Sequence, residues 1–449
     1  MAHESKKIRS ITPFQLLVSF YFIAILLSFL LLRIPAVYEE GVEISVIDSL
    51  FTAVSAISVT GLTVFDVSKS LTDFGIIVLL FIMQLGAIGV MSLGTLFWLF
   101  IGKRIGMRER QLIMIDYNQY NLSGVVNLLI GIVKILFTIE AFGSLILSVH
   151  FYKYYENWSD AIKHGVFTAI SATTNGGFDL TGMSLIPYHS DYFIQFITMI
   201  LIILGAIGFP VLIEVKNFLK RKDPAFRFSL FTKITTTTYG FLFIVGTVVI
   251  YLIESFQSFK GMQWHEKLFA AMFHSVSARS AGLTTLDIST FNEATNIFVS
   301  GLMFIGSSPS SVGGGIRTTT FAIVILFLIN FANGRNEIQI FNREIHHVDI
   351  YKSFAVIVLA FFMVLIATMI LLITEPQATL TQILFEITSA FGTCGMSLGI
   401  TSDLSTAGKI VIMILMFIGR VGLISFLYTL GGKANKAIYR YPQERIIIG

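Results

Sequence analysis

"ISVTGLTVFDVS", residues 57–68, lies between two oily stretches, and "ARSAGLTTLDIS", residues 278–289, is a worn copy of it. A short loop centred on glycine and rich in hydroxyls leaves its backbone N–H and C=O groups without a helix to satisfy them. At membrane depth such backbone is tolerated only where it is buried in protein or lines a water-filled path. The repetition raises the question of what travels along that path.

That the setting is a membrane follows from composition. Of 449 residues, 55% are hydrophobic and only 13% charged, about half the charged share of a soluble domain, which is roughly 25%. Residues 14–32, 74–102, 192–213 and 353–374 contain no Asp, Glu, Lys or Arg, and about 20 apolar residues suffice to span a bilayer core. The first run follows Lys6, Lys7 and Arg9 but ends in Arg33-Ile34-Pro35 without a small-x-small cleavage site, so it reads as an anchor rather than a signal peptide. The single cysteine, Cys394, excludes an internal disulfide and a cysteine metal cluster.

The net charge of +4 reflects topology and gives no reason to invoke nucleic acid. Twenty Lys and Arg fall in segments 1–11, 103–126, 214–235, 332–352 and 432–449; eight (Arg33, Lys69, Lys153, Lys163, Lys260, Lys267, Arg279 and Lys409) fall in the alternate segments. The positive-inside rule places the first set, with both termini, in the cytoplasm. The cluster Lys220-Arg221-Lys222 reads as a solvated loop.

The opening pattern occurs four times. Gly61 is matched by Gly177 in "SATTNGGF" (171–178), Gly282 in "SARSAGL" (277–283) and Gly395 in "SAFGTCGM" (389–396), at steps of 116, 105 and 113 residues. A second marker follows each loop: "LGAIG" at 85–89 and 204–208, "IGSSP" at 305–309 and "IGRVG" at 418–422. Such small-residue markers are what closely packed membrane helices require; the loops need another explanation. Each unit parses as a spanning helix, a short amphiphilic segment, the loop and a second span. Residues 46–57, "VIDSLFTAVSAI", would rise about 18 Å as a helix, too little to cross a core of roughly 30 Å. Such a segment dips in and returns through its loop, with its C-terminal dipole end favouring a cation. The expected fold is an all-α polytopic membrane protein. Its four helix–pore loop–helix repeats, 1–110, 111–225, 226–345 and 346–449, supply eight spans and four re-entrant hairpins around a pseudo-fourfold ion path.

Rings of backbone carbonyls replace the water shell of a dehydrating cation, and glycine permits the angles that aim several carbonyls one way. The candidate filter residues are Ser58, Val59, Thr60 and Gly61; Thr174, Asn175, Gly176 and Gly177; Ser280, Ala281 and Gly282; and Thr393, Cys394 and Gly395. They form neither the basic ring of an anion pore nor the acidic ring of a divalent pore, which points to a monovalent cation.

Four helix–pore loop–helix units in one chain, each with one filter glycine, resemble the Trk/Ktr/HKT superfamily of potassium transporters, and the resemblance covers essentially the whole chain. Glycine at all four positions implies potassium preference there, whereas serine in the first loop goes with sodium. Because the chain begins almost directly at its first unit, it most resembles the KtrB-type membrane subunits of bacterial Ktr uptake systems. The resemblance implies a bacterial plasma-membrane location, potassium as the transported ion, sodium-dependent uptake and no organic cofactor in this chain. It also implies a homodimer on a cytosolic RCK-type nucleotide-binding ring. The basic inner face and the tail "YRYPQERIIIG" (439–449) are the expected docking and dimer surfaces. One departure stands out: Gly61 and Gly282 align downstream, but Ser55 and Ser277 fall out of register by one residue.

The third unit differs. Residues 294–334 as one helix would extend about 61 Å, roughly twice the core, but "GSSPSSVGGGIRTTT" (306–320) interrupts them with Pro309 and Gly313-Gly314-Gly315. Glycines beside Arg317 invite a phosphate-loop reading, yet the chain lacks G-x-x-x-x-G-K-[ST] and a preceding strand. A plain kink or a gate beneath the filter remain, and the resemblance places an intramembrane gate loop at 306–317. Arg420, within "MFIGRVGLIS", stands where other units carry small residues and is expected just below the filter, repelling cations or bonding the gate loop. Lys134 and Glu140 read as inter-helix pairing or snorkelling. No nucleophile–base constellation appears, which disfavours an enzyme. A sodium-selective or ion-coupled symporter of the same superfamily is the alternative within the class, and a non-transport membrane enzyme or scaffold the alternative outside it.

Overall fold

The computed structural model describes residues 12–102, 105–116, 124–220, 226–335, 337–431, 442, 444 and 446. The basic residues of 1–11, 103–104 and 432–441, Arg221 and Lys222 of the basic cluster, and most of the tail 439–449 lie outside the described residues. Expectations resting on them concern sequence alone.

Four helices are long and apolar enough to cross a membrane: Pro13–Leu32, Val125–Tyr155, Leu230–Glu254 and His347–Thr374. The first starts at a capping box, with the Thr12 side chain receiving the Gln15 N–H and Pro13 in the first turn. Only 28–33% of each span's most apolar window is buried inside the protein. Phe22, Leu26 and Leu30 on the first, and Phe361, Leu365 and Met369 on the last, face outward. Apolar surface on that scale has lipid as its solvent.

Each long helix is followed by a short one: Val46–Ser58, Trp158–Thr173, Trp264–Ser277 and Leu380–Gly392. Thirteen residues in the first and last rise about 20 Å, so they end inside a core of roughly 30 Å. Ser45, Asn157 and Thr379 cap three of them, and a Gln263–Glu266 box caps the other. Their C-terminal turns are packed: residues 51–58 and 385–392 are all buried.

The second helices are interrupted in the first, second and fourth sets as well as in the third, where the sequence places a break. Asp73–Ile88 stops at Gly89 and resumes as Val90–Phe100; Thr406–Val421 stops at Gly422 and resumes as Leu423–Gly431. Tyr192–Ala206 and Phe209–Leu219 meet at 104° around Gly208. The φ values of Gly89, Gly208 and Gly422 are 87°, 100° and 88°, a conformation no right-handed helix contains and glycine tolerates best. In the third set, Glu293–Ile305 and Thr318–Ala332 are separated by the whole of 306–317, and Arg317 adopts φ 87° and ψ 139°, nearly the geometry of Gly422. The architecture is all-α with four continuous spans and four broken second helices; a two-residue hairpin, Gln339–Ile340 with Arg343–Glu344, is the only sheet among the described residues.

The buried clusters join neighbouring sets in a closed circuit. Val59, Ala87, Leu129 and Phe209 join the first to the second; Leu147, Leu201, Phe273 and Ala281 the second to the third. Val299, Met303, Phe385 and Cys394 join the third to the fourth, and Phe51, Leu79, Ile383 and Met416 join the fourth to the first. An ion pair, Lys409 to Asp48 at 2.7 Å, also links the fourth set to the first.

Candidate functional site

At the end of each short helix the chain turns with the same hydrogen bond. The N–H of Thr60 donates to the carbonyl of Ser55 at 2.8 Å, Gly176 to Ser171 at 2.7 Å, Cys394 to Ser389 at 2.8 Å and Ala281 to Ser277 at 3.0 Å. In three loops a left-handed residue makes the turn: Val59 (φ 55°), Asn175 (φ 53°) and Thr393 (φ 47°). The third loop has no such residue, and Ala281 follows Ser277 one place sooner. This accounts for the register slip between Ser55 and Ser277: the residue missing from the third loop is the left-handed one.

The helix serines also secure the loops. Ser55 and Ser389 hydroxyls accept the N–H groups of Gly61 and Gly395 at 3.1 and 3.0 Å. Ser171 and Ser277 hydroxyls donate to the carbonyls of Phe178 and Leu283 at 2.6 and 2.5 Å. Between loops, Leu185 N–H meets the Thr284 carbonyl at 2.9 Å, and the Cys394 thiol lies 3.3 Å from the Ser277 carbonyl. Ser58 and Thr174 are occupied by their own helices, donating to Val54 and Ile170 carbonyls at 2.6 and 2.7 Å.

Gly61, Gly177, Gly282 and Gly395, with φ of 90°, 70°, 68° and 97°, close a ring. A Cβ on Gly61 would sit 2.5 Å from the Gly176 carbonyl oxygen, and one on Gly177 would sit 2.9 Å from that of Ala281. One on Gly282 would strike the Cys394 carbonyl, and one on Gly395 the Thr60 carbonyl, both closer still. Each glycine is thus backed by the main-chain oxygen immediately before the next loop's glycine, around all four. Glycine is required twice here, by its backbone angle and by this contact.

The marker glycines behave as packing residues. A Cβ on Gly86, Gly205 or Gly419 would collide with the carbonyl of Ile57, Thr173 or Phe391, at the ends of the short helices.

Residues 306–317 form a buried loop against the ring. Ser308 and Val312 N–H groups donate to Ala206 and Gly205 carbonyls at 3.1 and 3.3 Å, and Phe209 N–H donates to Ser310 at 2.9 Å, pinning the loop to the second set's break. Its tip reaches the filter candidates: Gly313 lies against the Ser280 hydroxyl, and a Cβ on Gly314 would be 2.7 Å from Thr393 Oγ1. The Arg317 guanidinium donates to Ser307 Oγ at 3.2 Å, to the Ser308 carbonyl at 3.3 Å and to the Gly313 carbonyl. Arg420, 9% exposed, donates to the carbonyls of Val312 and Gly86. Beyond the loop opens a cavity of 410 Å³ lined by Pro309, Ile316, Arg317, Arg420, Lys352 and Ser425 among others.

One feature escaped the sequence reading. Arg279, counted among the sparse basic residues of the outer segments, is 0% exposed; its guanidinium stacks 3.4 Å over the Tyr239 ring and donates to the Tyr239 carbonyl at 2.9 Å. Its place three residues before Gly282 was the available signal, obscured by that loop's missing residue. Of the two charges read as pairing between helices or snorkelling, Lys134 is exposed and Glu140 is buried. Among the described residues no cluster of three or more His, Cys, Asp or Glu could hold a metal.

Residues 1–433 match the family described as TrkH, cation transport protein. The chain is 52% identical to Ktr system potassium uptake protein D of Bacillus subtilis over 99% of both chains. It is 37% identical to Ktr system potassium uptake protein B of the same bacterium, over 98% of this chain and 97% of the relative. A potassium/sodium uptake protein of Enterococcus hirae is 32% identical over 99% of both. In fold it is similar to the potassium transporter TrkH from Vibrio parahaemolyticus, with a TM-score of 0.70 at 19% identity, over 96% of this chain and 86% of that one.

Proposed function

This chain belongs to the TrkH cation transport protein family, and we propose that it moves potassium across a bacterial plasma membrane through the ring of Gly61, Gly177, Gly282 and Gly395. The observation that carries this reading is the closed circuit of glycines and main-chain oxygens. Neutral oxygens in a ring suit a monovalent cation that sheds its water. The flanking filter residues Ser58, Val59, Thr60, Thr174, Asn175, Gly176, Ser280, Ala281, Thr393 and Cys394 carry no charge into it. The names of the relatives support potassium as the cargo, and that of the Enterococcus relative supports uptake that depends on sodium.

In this reading the loop 306–317, with Gly313, Gly314, Gly315 and Arg317, is the gate, and Arg420 its latch. The chain divides into four repeats at 1–110, 111–225, 226–345 and 346–449, with both termini cytoplasmic. It works as a homodimer on a cytosolic nucleotide-binding ring, as membership of a Ktr-type system implies, so nucleotide control comes from the partner. The deciding measurement is ion flux in liposomes holding the purified protein under separate potassium, sodium and pH gradients. Potassium flux that follows its own gradient, in a protein that excludes sodium at the ring, is expected. Flux that is absent unless a sodium or proton gradient drives it makes the protein a coupled symporter instead.

A further inference from the structure

The cavity beyond the 306–317 loop, at 410 Å³, is within the size range of small-molecule pockets, roughly 300–1,000 Å³. Its charge is unbalanced. Arg317, Lys352 and Arg420 line it with one carboxylate, Asp349, which lies 3.8 Å from Lys352. Neither arginine forms an ion pair among the described residues. The two guanidiniums meet carbonyls of consecutive loop residues, Arg420 that of Val312 and Arg317 that of Gly313, so two like charges sit side by side. Arg420 is 9% exposed, and its Nε has no hydrogen-bond partner among the described residues. Buried charges are as a rule paired with an opposite charge; here the protein supplies two of one sign and none of the other.

Helix ends add to the same field. Thr319 and Thr320, in the first turn of Thr318–Ala332, line the cavity, as do Leu423 to Ser425, the first turn of Leu423–Gly431. First-turn N–H groups have no acceptor within their own helix, and no side chain caps Thr318–Ala332. Two positive helix ends therefore converge with two guanidiniums, a combination that suits a phosphate. Bonding the loop accounts for the hydrogen bonds of each arginine, but not for the gathering of both charges and both helix ends at one cavity.

We propose that this cavity binds a phosphate group, carried by a lipid headgroup or free in solution, and that its occupancy loosens the loop by competing for Arg317 and Arg420. Apolar residues such as Leu17, Ile323 and Val356 share the wall and suit the acyl part of a lipid, while the charged end suits phosphate from either source. Occupancy would also offset positive charge next to the loop. The binding stands independently of the glycine ring; the effect on transport rests on the reading of 306–317 as the gate.

The test uses the full-length chain in uncharged detergent, with inorganic pyrophosphate and dioctanoyl phosphatidic acid as probes. Potassium chloride of matched ionic strength and dioctanoylglycerol are the controls. One or both probes should raise the melting temperature by about 2 °C at saturation, and neither control should. Stabilisation by phosphatidic acid alone names a lipid headgroup as the source, and stabilisation by pyrophosphate, alone or as well, a soluble phosphate. Thr320→Asp puts a carboxylate at the helix end inside the cavity and should weaken binding about tenfold or more. Lys352→Gln removes the third cation, should weaken binding about threefold, and serves if the first variant fails to fold. Rubidium flux in phosphatidylcholine liposomes, with the probe on both faces, should rise about threefold in the parent, and in Thr320→Asp it should be raised without any probe. No stabilisation by either probe, or parental stabilisation of both folded variants, overturns the site. Binding that leaves flux unchanged overturns the link to the loop, whereas an unaltered rubidium-to-sodium ratio in Gly61→Ser overturns the ring reading alone.

Discussion

Arg420 donates from Nη1 to the carbonyl of Val312, joining the last set's second helix to the tip of the third set's buried loop. Its Nη2 reaches the Gly86 carbonyl beside the first set's helix break, with Ala87 at 3.5 Å. A guanidinium suits this position because its rigid fork serves two acceptors at once, which a lysine ammonium cannot do in the same geometry. The charge meets main-chain oxygens and no carboxylate in these bonds. Arg420 therefore ties the loop to the first set, and in the proposed reading of the ring as the ion path its positive charge stands on the inner side of that path.

Replacing Arg420 by Ala should free the tip and raise flux in the closed condition, with little change in the amount of protein reaching the membrane. Arg420→Lys keeps the charge but loses one of the two bonds, and should fall between the two. Flux per molecule is compared with membrane abundance by quantitative blotting. Normal flux per molecule with much reduced abundance would make the contact structural.

Gly61→Ser tests the ring. The left-handed backbone at φ 90° costs a residue with a Cβ about 1–2 kcal/mol. The added atom must also push back the Gly176 carbonyl, 2.5 Å away. Moving one of four oxygens should reduce potassium-over-sodium preference by about tenfold, read as competing uptake in cells lacking other potassium transport. Unchanged preference would remove the ring from the selective step.

The four loops were legible from sequence because a positive-φ backbone that also touches a neighbouring backbone strongly favours glycine, which recurs at Gly61, Gly177, Gly282 and Gly395. The interruption at 306–317 was legible for the same kind of reason, through Pro309 and three glycines. The breaks at Gly89, Gly208 and Gly422 were hidden, since a lone glycine in an apolar run reads equally as close helix packing. Gly86, Gly205 and Gly419, three residues earlier, do serve that purpose. Arg279 was misplaced because a cation near a loop suggests solvent, and only the fold shows the Tyr239 ring covering it.

Arg279→Met addresses that buried charge. Arg279 follows the C-terminus of Trp264–Ser277, where the helix dipole favours a cation, so in the proposed reading it would compete with an ion in the ring for the same field. Its removal should raise apparent potassium affinity a few-fold and lower thermal stability, since the stack on Tyr239 and the bond to its carbonyl are lost. Potassium-dependent uptake curves and melting in detergent separate the two effects. Weaker potassium affinity in a stable variant would contradict the electrostatic argument.

The loop itself gives the remaining prediction. Its outer arm is fixed by Ser308, Ser310 and Val312 to the backbone of 205–209, and its return arm by Ile316 and Arg317 N–H groups donating to Phe304 and Ile305 at 3.3 and 3.0 Å. Gly313 to Gly315 is the stretch between these anchors, with Gly313 against Ser280 and Gly314 against Thr393. Deleting the three glycines shortens the tip without touching the ring, so the protein should conduct continuously. Control by a cytosolic partner should vanish with the tip, because a partner acting from outside the membrane must finally move this segment. Gly314→Ala is the gentler probe: its methyl group would meet Thr393 at 2.7 Å and the Gly419 carbonyl at 2.8 Å, pushing the tip out of the path and partly reproducing the deletion. Flux is measured with and without the partner and its nucleotide. If both variants fold and still close normally when the partner commands it, the gate lies elsewhere on the path.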